Sequence, residues 1–313
     1  MLGAIIELMD HAEQLREFES FLTEKAHKYF PLPSLLNEAV HYSLLSGGKR
    51  IRPLLCLGFC EAFNGNKDSA MVSGVAVEMV HAYSLIHDDL PGMDNDNLRR
   101  GKPTNHKIYG EAHAILAGDS LMSMACEFFL KESGKRKTNP QKIVTLLTKL
   151  LEASGSEGMV KGQSLDMDYG SRDLKKYDSQ TLEKLLTNIH LLKTGALISW
   201  SSLAGLFAVD DDAVIQKYHD HVKSLGQKIG LLFQIVDDIL DATSEIETLG
   251  KTPGKDQKSG KLTYTGLYGL DEAKAMAQAL SKDIHEDFEK IGIERNWSTV
   301  KKIVNSLEEK LKD

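Results

Sequence analysis

Two groups of aspartates have a spacing that could bring several carboxylates to one point. The group nearer the C-terminus is Gln234-Ile-Val-Asp237-Asp238-Ile-Leu-Asp241. On a helix, Asp237 and Asp241 would lie one turn apart, separated by about 40° around the axis. Like charges at this spacing destabilise a helix unless a cation lies between them. Hard divalent ions, magnesium above all, prefer such oxygen ligands. The alternative is a solvated acidic helix face.

The first group, Asp88-Asp89-Leu-Pro-Gly-Met-Asp94, is interrupted by a proline and a glycine. On a continuous helix Asp94 would lie about 9 Å beyond Asp88. The Pro-Gly pair should end the helix near Leu90, so that Asp94 can fold back toward Asp88 and share a metal with it. The alternative is an acidic helix end followed by a turn, although the helix dipole disfavours acids there. We expect both groups to meet across one cavity.

Cationic residues accompany both acidic groups. Arg99 and Arg100 follow the first group, and arginines in loops bind phosphate oxygens in bidentate fashion. Upstream, Gly48 precedes Lys49 and Arg52, which are three residues apart and would share a face once a helix begins there. Later cations are Lys193, Lys251 and Lys261. Each motif could be a solvated basic turn. Together they indicate two diphosphates side by side, one bound through bridging metals and the other directly by lysine and arginine.

The elements that must position these residues are predicted to be helices. An apolar residue recurs every three or four positions in several stretches, for example at Val222, Leu225, Ile229, Leu232, Val236 and Leu240. Strand alternation bounded by tight turns is not apparent. With only 7 prolines and no linker-like stretch in 313 residues, the sequence predicts an all-α fold in which residues 1–313 form one domain.

Composition narrows the partners and the compartment. The formal net charge is −7, and no basic stripe with interleaved aromatics occurs, so a nucleic-acid partner is not expected. Three cysteines are too few for a disulfide framework and favour a reducing compartment. The longest uncharged run, Thr194 to Val209, falls short of the roughly 20 residues of a membrane span. The acidic N-terminus does not resemble a signal peptide. We expect a cytoplasmic protein without stable membrane insertion.

These motifs, in this order, resemble those of the trans-isoprenyl diphosphate synthases, and most closely the bacterial short-chain farnesyl diphosphate synthases. The likeness runs from about Gly47 to Lys261 and is most specific between His81 and Thr104 and between Gly230 and Asp241. It implies the isoprenoid synthase fold, with helices around a deep central cavity, and a homodimer. It also implies the reaction, in which isopentenyl diphosphate is condensed with dimethylallyl and geranyl diphosphates.

The resemblance implies a role for each matching side chain. Three magnesium ions on the allylic diphosphate would be held by Asp88, Asp89, Asp94, Asp237, Asp238 and Asp241. The same diphosphate would be contacted directly by Arg99, Lys193, Lys251 and Lys261. Isopentenyl diphosphate would be bound by Gly48, Lys49, Arg52, His81 and Arg100. Gln163 would line the allylic side, and Thr194 and Gln234 would face the developing carbocation. The residues expected to be catalytic are Lys193, Thr194, Gln234 and Arg99.

Product length is expected to depend on Tyr83 and Ser84. Tyr83 lies five residues before Asp88, about 7.5 Å toward the start of the same helix. In the family, an aromatic residue here resembles a floor that limits the product to fifteen carbons. Farnesyl diphosphate is therefore the expected product, and geranylgeranyl diphosphate is the second candidate. A terpene cyclase or a non-catalytic synthase subunit is less expected, because the second group is Asp-rich and both groups are intact. His87, His106 and His113 are expected to be structural.

Overall fold

Long helices make up nearly all the regular structure of the computed structural model, which describes residues 2–136, 138–170, 172–243, 261–292 and 294–311. The helices are α1 (Leu2–Tyr29), α2 (Leu35–Leu44), α3 (Ile51–Ala62), α4 (Lys67–Asp88), α5 (Asn105–Tyr109), α6 (Glu111–Lys135), α7 (Pro140–Ser154), α8 (Met159–Gly170), α9 (Ser179–His190), α10 (Ala196–Phe207), α11 (Asp212–Thr243), α12 (Tyr264–Tyr268), α13 (Leu270–Gly292) and α14 (Ser298–Glu309). A π-helical turn, Leu191–Gly195, joins α9 to α10, and Leu174–Lys176 form a 3₁₀ turn. The predicted all-α fold is confirmed.

Local sequence fixes where several helices begin. The Ser69 N–H donates to Asn66 Oδ1 at 2.9 Å at the start of α4, and the Thr181 N–H donates to an Asp178 carboxylate oxygen at 2.9 Å at the start of α9. These side chains satisfy N–H groups that have no partner within the helix, and each such cap stabilises a helix by about 1 kcal/mol. Caps therefore set the positions from which both helices extend to the site.

Helix α4 is mostly buried and carries the first aspartate group at its C-terminal end. It packs against α3 and α6, and its buried residues run from Ala70 to Ile86. Its length and composition alone would allow it to cross a membrane, but most of it is buried inside the protein, as expected of a core helix. The buried apolar side chains form one cluster from Phe18 to Leu311, a feature that the single-domain prediction requires.

A buried carboxylate near the end of α6 ties that helix to α1. Glu132 is 2% exposed and accepts hydrogen bonds from Tyr29 Oη at 2.8 Å, Lys135 Nζ at 2.5 Å, Arg136 Nη1 at 3.0 Å and Lys28 Nζ at 3.3 Å. Burial alone would raise the pKa of Glu132, but these hydrogen bonds outweigh it and hold the pKa well below its usual range.

We expect Glu132→Gln to lower the free energy of unfolding at pH 7 by about 3 kcal/mol, because it leaves several cations without their buried partner. The stabilisation from Glu132 is present above the unfolded-state pKa of about 4.3 and is lost as the pH falls below it. Denaturant unfolding from pH 7 to pH 3 should therefore show a flatter pH dependence in the variant.

The matched control is Glu127→Gln on the same helix. Glu127 forms an exposed ion pair with Lys131, and such pairs contribute about 0.5 kcal/mol. An equal loss of stability in both variants would contradict the role assigned to Glu132.

Candidate active site

The first aspartate group folds back on itself. Helix α4 ends at Asp88, and two turns follow before the next regular element. The Asp94 N–H donates to the Asp88 carbonyl oxygen at 2.9 Å, and the Met93 N–H donates to the Leu90 carbonyl oxygen at 2.9 Å. Proline cannot continue the helix, so the chain reverses direction here. The prediction that Asp94 returns to Asp88 is confirmed.

The two aspartate groups share a cavity. A pocket of about 810 Å³ is lined by Asp88 at the end of α4 and by Asp237 on α11, with Arg52, His81, Lys193 and Gln163 among the other lining residues. A smaller, more polar pocket of about 180 Å³ adjoins it, and Asp88 and Asp237 line this one too. The prediction that the two distant acidic helix ends meet across one cavity is confirmed.

The smaller pocket, called the polar pocket below, mixes carboxylates with ammonium groups. Lys193 Nζ lies 2.6 Å from Asp166 Oδ2, and Lys261 Nζ lies 3.2 Å from Asp94 Oδ1. Asp241 also lines this pocket. Each cation is held by a carboxylate, Lys193 lines both pockets and Lys261 lines the polar pocket, an arrangement that can take up an anion together with divalent cations.

These carboxylates suit magnesium. Burial, with a smaller contribution from Asp94, raises the pKa of Asp88 to about 6 despite the nearby Lys193, and a bound cation would reverse that cost. No preformed cluster of three histidine, cysteine or acidic side chains occurs in the described part of the chain. Mg²⁺ nevertheless binds through one or two carboxylates, water and substrate phosphates rather than an all-protein cage. The residues that would hold it are Asp88, Asp94, Asp237 and Asp241.

Asp89 and Asp238, the remaining two aspartates of the groups, are buried and hydrogen-bonded to other residues. Asp89 is buried and accepts hydrogen bonds from Arg99, whose Nε lies 3.0 Å from Asp89 Oδ1. Asp238 is 4% exposed and accepts hydrogen bonds from Gln234 and from the backbone of Tyr264. Metal binding by all six aspartates stays a prediction.

The two adjacent arginines belong to a two-stranded hairpin, Arg99 in a strand and Arg100 in the turn. β1 (Leu98–Arg99) pairs antiparallel with β2 (Lys102–Pro103), and the turn residues Arg100 and Gly101 have φ values of 55° and 74°. A two-residue hairpin turn needs such left-handed conformations. The Arg99 side chain reaches Asp89, whereas the Arg100 guanidinium donates to Ser46 Oγ at 3.0 Å. Neighbouring arginines thus extend to two different parts of the site.

Arg100 also depends on Gly48. The Arg100 guanidinium donates to the carbonyl oxygen of Gly47, and Gly48 has a φ of 129°. A Cβ atom on Gly48 would lie only 2.7 Å from Arg100 Cζ. Both the backbone conformation and the close approach therefore require glycine at this position, which places Gly48 beside the arginine predicted to bind isopentenyl diphosphate.

The wall beside Arg100 is strongly cationic. Burial, together with the Arg100 charge, lowers the pKa of Arg52 to about 10 even though Glu78 opposes the shift. Burial and the surrounding arginines, Arg52 first among them, lower the pKa of His81 well below its usual range. Arg52, Arg100 and a protonated His81 would repel one another, and a bound anion would offset this repulsion.

The prediction that Lys49 and Arg52 share a helix face is wrong. Helix α3 begins at Ile51, after Arg50 in a left-handed conformation with φ 46°. Arg50 is drawn into the core, where its Nη1 lies 2.5 Å from Glu78 and its Nε lies 2.7 Å from Glu19. The exposed Lys49 therefore precedes the helix, while Arg52 lines the cavity.

The π-helical turn carries Lys193 and Thr194 to the cavity. Thr194 Oγ1 donates to Gln234 Oε1 at 3.0 Å, which links this turn to α11. Two glycines allow neighbouring helices to approach it. A Cβ atom on Gly230 would lie 2.7 Å from the Gly195 Cα atom, and one on Gly162 would overlap with the Lys193 backbone. The wider turn is thus held between α8 and α11.

The larger cavity continues along α4 toward apolar side chains. Tyr83 and Ser84 line it, and the Tyr83 ring packs edge-on against the His87 ring with centroids 5.3 Å apart. His87 Nε2 lies 3.0 Å from the carbonyl oxygen of Ile115 on α6. Both polar ends of the Gln163 side chain are buried and have no hydrogen-bond partner within the described residues. Tyr83 thus lines the cavity, and its role as the floor stays a prediction.

Several residues at the site carry no motif that sequence reasoning could use. Asp166 pairs with Lys193, and Glu78 lies inside an apolar helix. Lys310 follows α14, where burial and the nearby Lys49 lower its pKa to about 8 and Asp237 opposes the shift. Their positions depend on tertiary packing.

His106 is buried beside Thr104, consistent with a structural role. Lys251 lies outside the described residues.

Comparison with known proteins agrees with this geometry. A family model described as polyprenyl synthetase matches residues 33–298. A chloroplastic geranylgeranyl pyrophosphate synthase of Capsicum annuum is 45% identical over 258 residues, 82% of this chain and 67% of that protein. Chloroplastic geranylgeranyl pyrophosphate synthase 7 of Arabidopsis thaliana is 42% identical over 285 residues, 91% of this chain and 75% of that protein.

Solved structures are similar over nearly the whole chain. A geranyltransferase of Helicobacter pylori, complexed with magnesium and isoprenyl diphosphate, superimposes with a TM-score of 0.80 at 33% identity, covering 97% of each chain. An FPP/GFPP synthase of Zymomonas mobilis without ligand superimposes with a TM-score of 0.79 at 33% identity, covering 96% of this chain and 99% of that one.

Proposed function

The chain belongs to the polyprenyl synthetase family of trans-prenyltransferases and has their all-α isoprenoid synthase fold, and we propose that it condenses isopentenyl diphosphate with dimethylallyl and geranyl diphosphates. The observation that carries this proposal is the cavity shared by Asp88 and Asp237, with Arg52, His81 and Arg100 in its wall. One side suits a metal-bound diphosphate and the other suits a diphosphate bound by arginine.

The proposed reaction begins when the allylic carbon–oxygen bond breaks and its electron pair leaves with the pyrophosphate. Bound Mg²⁺ would supply charge stabilisation to this leaving group. Lys193 and Lys261, already beside the carboxylates of the polar pocket, would add two positive charges to it. The oxygens of Thr194 and Gln234 would face the allylic cation that remains.

The second substrate would then supply the new bond. Arg52 and Arg100 would hold the diphosphate of isopentenyl diphosphate, with the neutral His81 imidazole as a further hydrogen-bonding group. The double bond donates its electron pair to the allylic cation, a carbon–carbon bond forms, and a proton leaves the adjacent carbon for the released pyrophosphate. This scheme requires no side-chain nucleophile.

Product length remains a choice between two candidates. The half-buried Tyr83 ring lies in the cavity wall below Asp88, which supports farnesyl diphosphate. The two plant relatives are geranylgeranyl pyrophosphate synthases, and this supports geranylgeranyl diphosphate, the twenty-carbon product. We propose farnesyl diphosphate from the geometry and retain geranylgeranyl diphosphate as the second candidate.

Tyr83→Ala is expected to lengthen the product by at least one five-carbon unit, because it removes the ring proposed to form the floor of the cavity. Radiolabelled isopentenyl diphosphate, followed by dephosphorylation and chromatographic sizing, measures the change. Tyr169→Ala on α8, which lies outside both cavities, should leave product length unchanged. An unchanged product from Tyr83→Ala would reject the floor, and a twenty-carbon product from the unaltered protein would establish the second candidate.

The same assay tests the reaction itself. Condensation by the purified single chain would exclude a non-catalytic subunit, and a hydrocarbon made from geranyl diphosphate alone would instead indicate a cyclase. A homodimer is also proposed, supported by exposed apolar side chains on α6 such as Leu116 and Leu130. Sedimentation analysis would test it. The cytoplasmic location stays a prediction.

A further inference from the structure

Asp238 is the most buried carboxylate of the second aspartate group, and both of its oxygens are used by the protein. Oδ1 accepts a hydrogen bond from Gln234 Nε2 at 3.0 Å, and Oδ2 accepts one from the Tyr264 backbone N–H at 2.9 Å. His190 Nε2 lies 3.6 Å from Oδ2, and the His190 ring stacks on the Tyr264 ring. These contacts fix the carboxylate in one orientation.

Asp238 determines the orientation of the Gln234 side-chain amide. An ionised carboxylate only accepts hydrogen bonds, so the NH₂ end of the amide must face it. The carbonyl end then faces Thr194, whose hydroxyl donates to Oε1 at 3.0 Å. Gln234 lines both pockets, whereas Thr194 lines only the larger cavity and Asp238 only the polar pocket. The amide therefore has its NH₂ end on the polar side and its carbonyl end on the hydrocarbon side.

We propose that Asp238 is a positioning residue that locks the Gln234 amide with its carbonyl end toward the hydrocarbon cavity, and that it is not a metal ligand. This inference rests on the proposed function, in which an allylic cation forms in that cavity. A carbonyl oxygen beside the cation stabilises it, whereas a flipped amide would present N–H groups with the opposite dipole. Asp238 thus acts on the reaction through Gln234.

The Asp238→Asn variant tests the orientation directly. If the new side-chain oxygen keeps the hydrogen bond from the Tyr264 N–H, its NH₂ group faces Gln234. The Gln234 amide must then rotate so that its carbonyl accepts this hydrogen bond and its own NH₂ group faces Thr194. We expect kcat to fall by about 100-fold, with KM for the allylic diphosphate within about twofold, because the lost interaction acts in the transition state.

A second substitution should restore the pattern. In the double variant Asp238→Asn/Gln234→Glu, the new carboxylate at position 234 can accept hydrogen bonds from both the asparagine NH₂ group and the Thr194 hydroxyl. The total charge equals that of the unaltered protein. We expect kcat to recover to within about tenfold of that protein. Gln234→Glu alone is the control, since two adjacent carboxylates repel each other and should leave activity low.

A metal-binding role for Asp238 predicts different results. Asp238→Asn would then raise the Mg²⁺ concentration needed for half-maximal activity and would weaken Mg²⁺-dependent binding of a non-ionisable allylic thiolodiphosphate in calorimetry. Gln234→Glu would not restore activity. Either a weakened calorimetric affinity or an absence of rescue would overturn the proposal.

One readout does not depend on turnover. In nuclear magnetic resonance spectra of Asp238→Asn, nuclear Overhauser effects between the Gln234 NH₂ protons and the Thr194 methyl group should appear, and they should be absent from the unaltered protein. A Gln234 amide that keeps its orientation would overturn the inference. An unaltered protein that condenses no substrate would instead reject the proposed function, and the amide measurement would still decide the positioning claim.

Discussion

Asp237→Asn is expected to lower kcat by about 100- to 1000-fold while leaving the fold intact, because it removes one charge that would hold Mg²⁺ against the leaving group. Asp237 and Asp88 line the same cavity, so Asp88→Asn should have an effect of similar size. If both side chains serve one diphosphate, the double variant should lose less activity than the product of the two single losses. Steady-state kinetics with saturating Mg²⁺ measures all three.

The control for this pair is Asp220→Asn. Asp220 lies on the same helix as Asp237 but is exposed and outside both cavities, with its Oδ1 2.9 Å from Nδ1 of the neighbouring His219. Its substitution should change kcat by less than about twofold. Full activity in Asp237→Asn, with circular dichroism unchanged, would show that the second aspartate group has no part in the reaction.

Glu78→Gln is expected to lower the free energy of unfolding by about 3–5 kcal/mol, because it leaves the buried Arg50 guanidinium without its closest carboxylate. Arg50 Nη1 lies 2.5 Å from Glu78, and both side chains are nearly inaccessible to water. The same charge opposes the lowered pKa values of Arg52 and Arg100. Denaturant unfolding measures the stability change.

Glu17→Gln serves as the control for that experiment. Glu17 pairs with Lys67 at 2.5 Å, but both side chains are about half exposed, and an exposed pair contributes about 0–1 kcal/mol. Equal stabilities of Glu78→Gln and the unaltered protein would contradict the assignment of Glu78 as the counter-charge of Arg50.

Sequence reasoning predicted the features that follow from periodicity and from proline. The all-α fold followed from apolar repeats, and the return of Asp94 to Asp88 followed from the Pro-Gly pair between them. The meeting of Asp88 and Asp237 followed from chemistry, since two acidic helix ends are costly unless they share cations. The first two arguments use local rules, whereas the third uses the preference of clustered carboxylates for a shared cation.

Other features depend on long-range packing that no local rule contains. The helix near Lys49 begins later than expected because Glu19 and Glu78, from two other helices, bind Arg50. The roles of Asp166 and Asp238 likewise depend on partners that lie 27 and 26 residues away in sequence, Lys193 and Tyr264. The sequence spacing predicts the same role for Asp238 as for Asp237 and Asp241, whereas the hydrogen bonds of Asp238 to Gln234 and Tyr264 indicate a different one.

The turn Leu191–Gly195 contains one residue more than an α-helical turn would hold. Deleting a residue elsewhere in α9 or α10 would rotate the following helix by about 100° and misalign its buried face. Deleting Leu192 would instead remove the extra residue, so that the phase of buried residues such as Trp200 is preserved while the backbone that presents Lys193 and Thr194 to the cavity changes. A single-residue deletion at this turn would thus alter the site locally and spare the packing of the helix that follows.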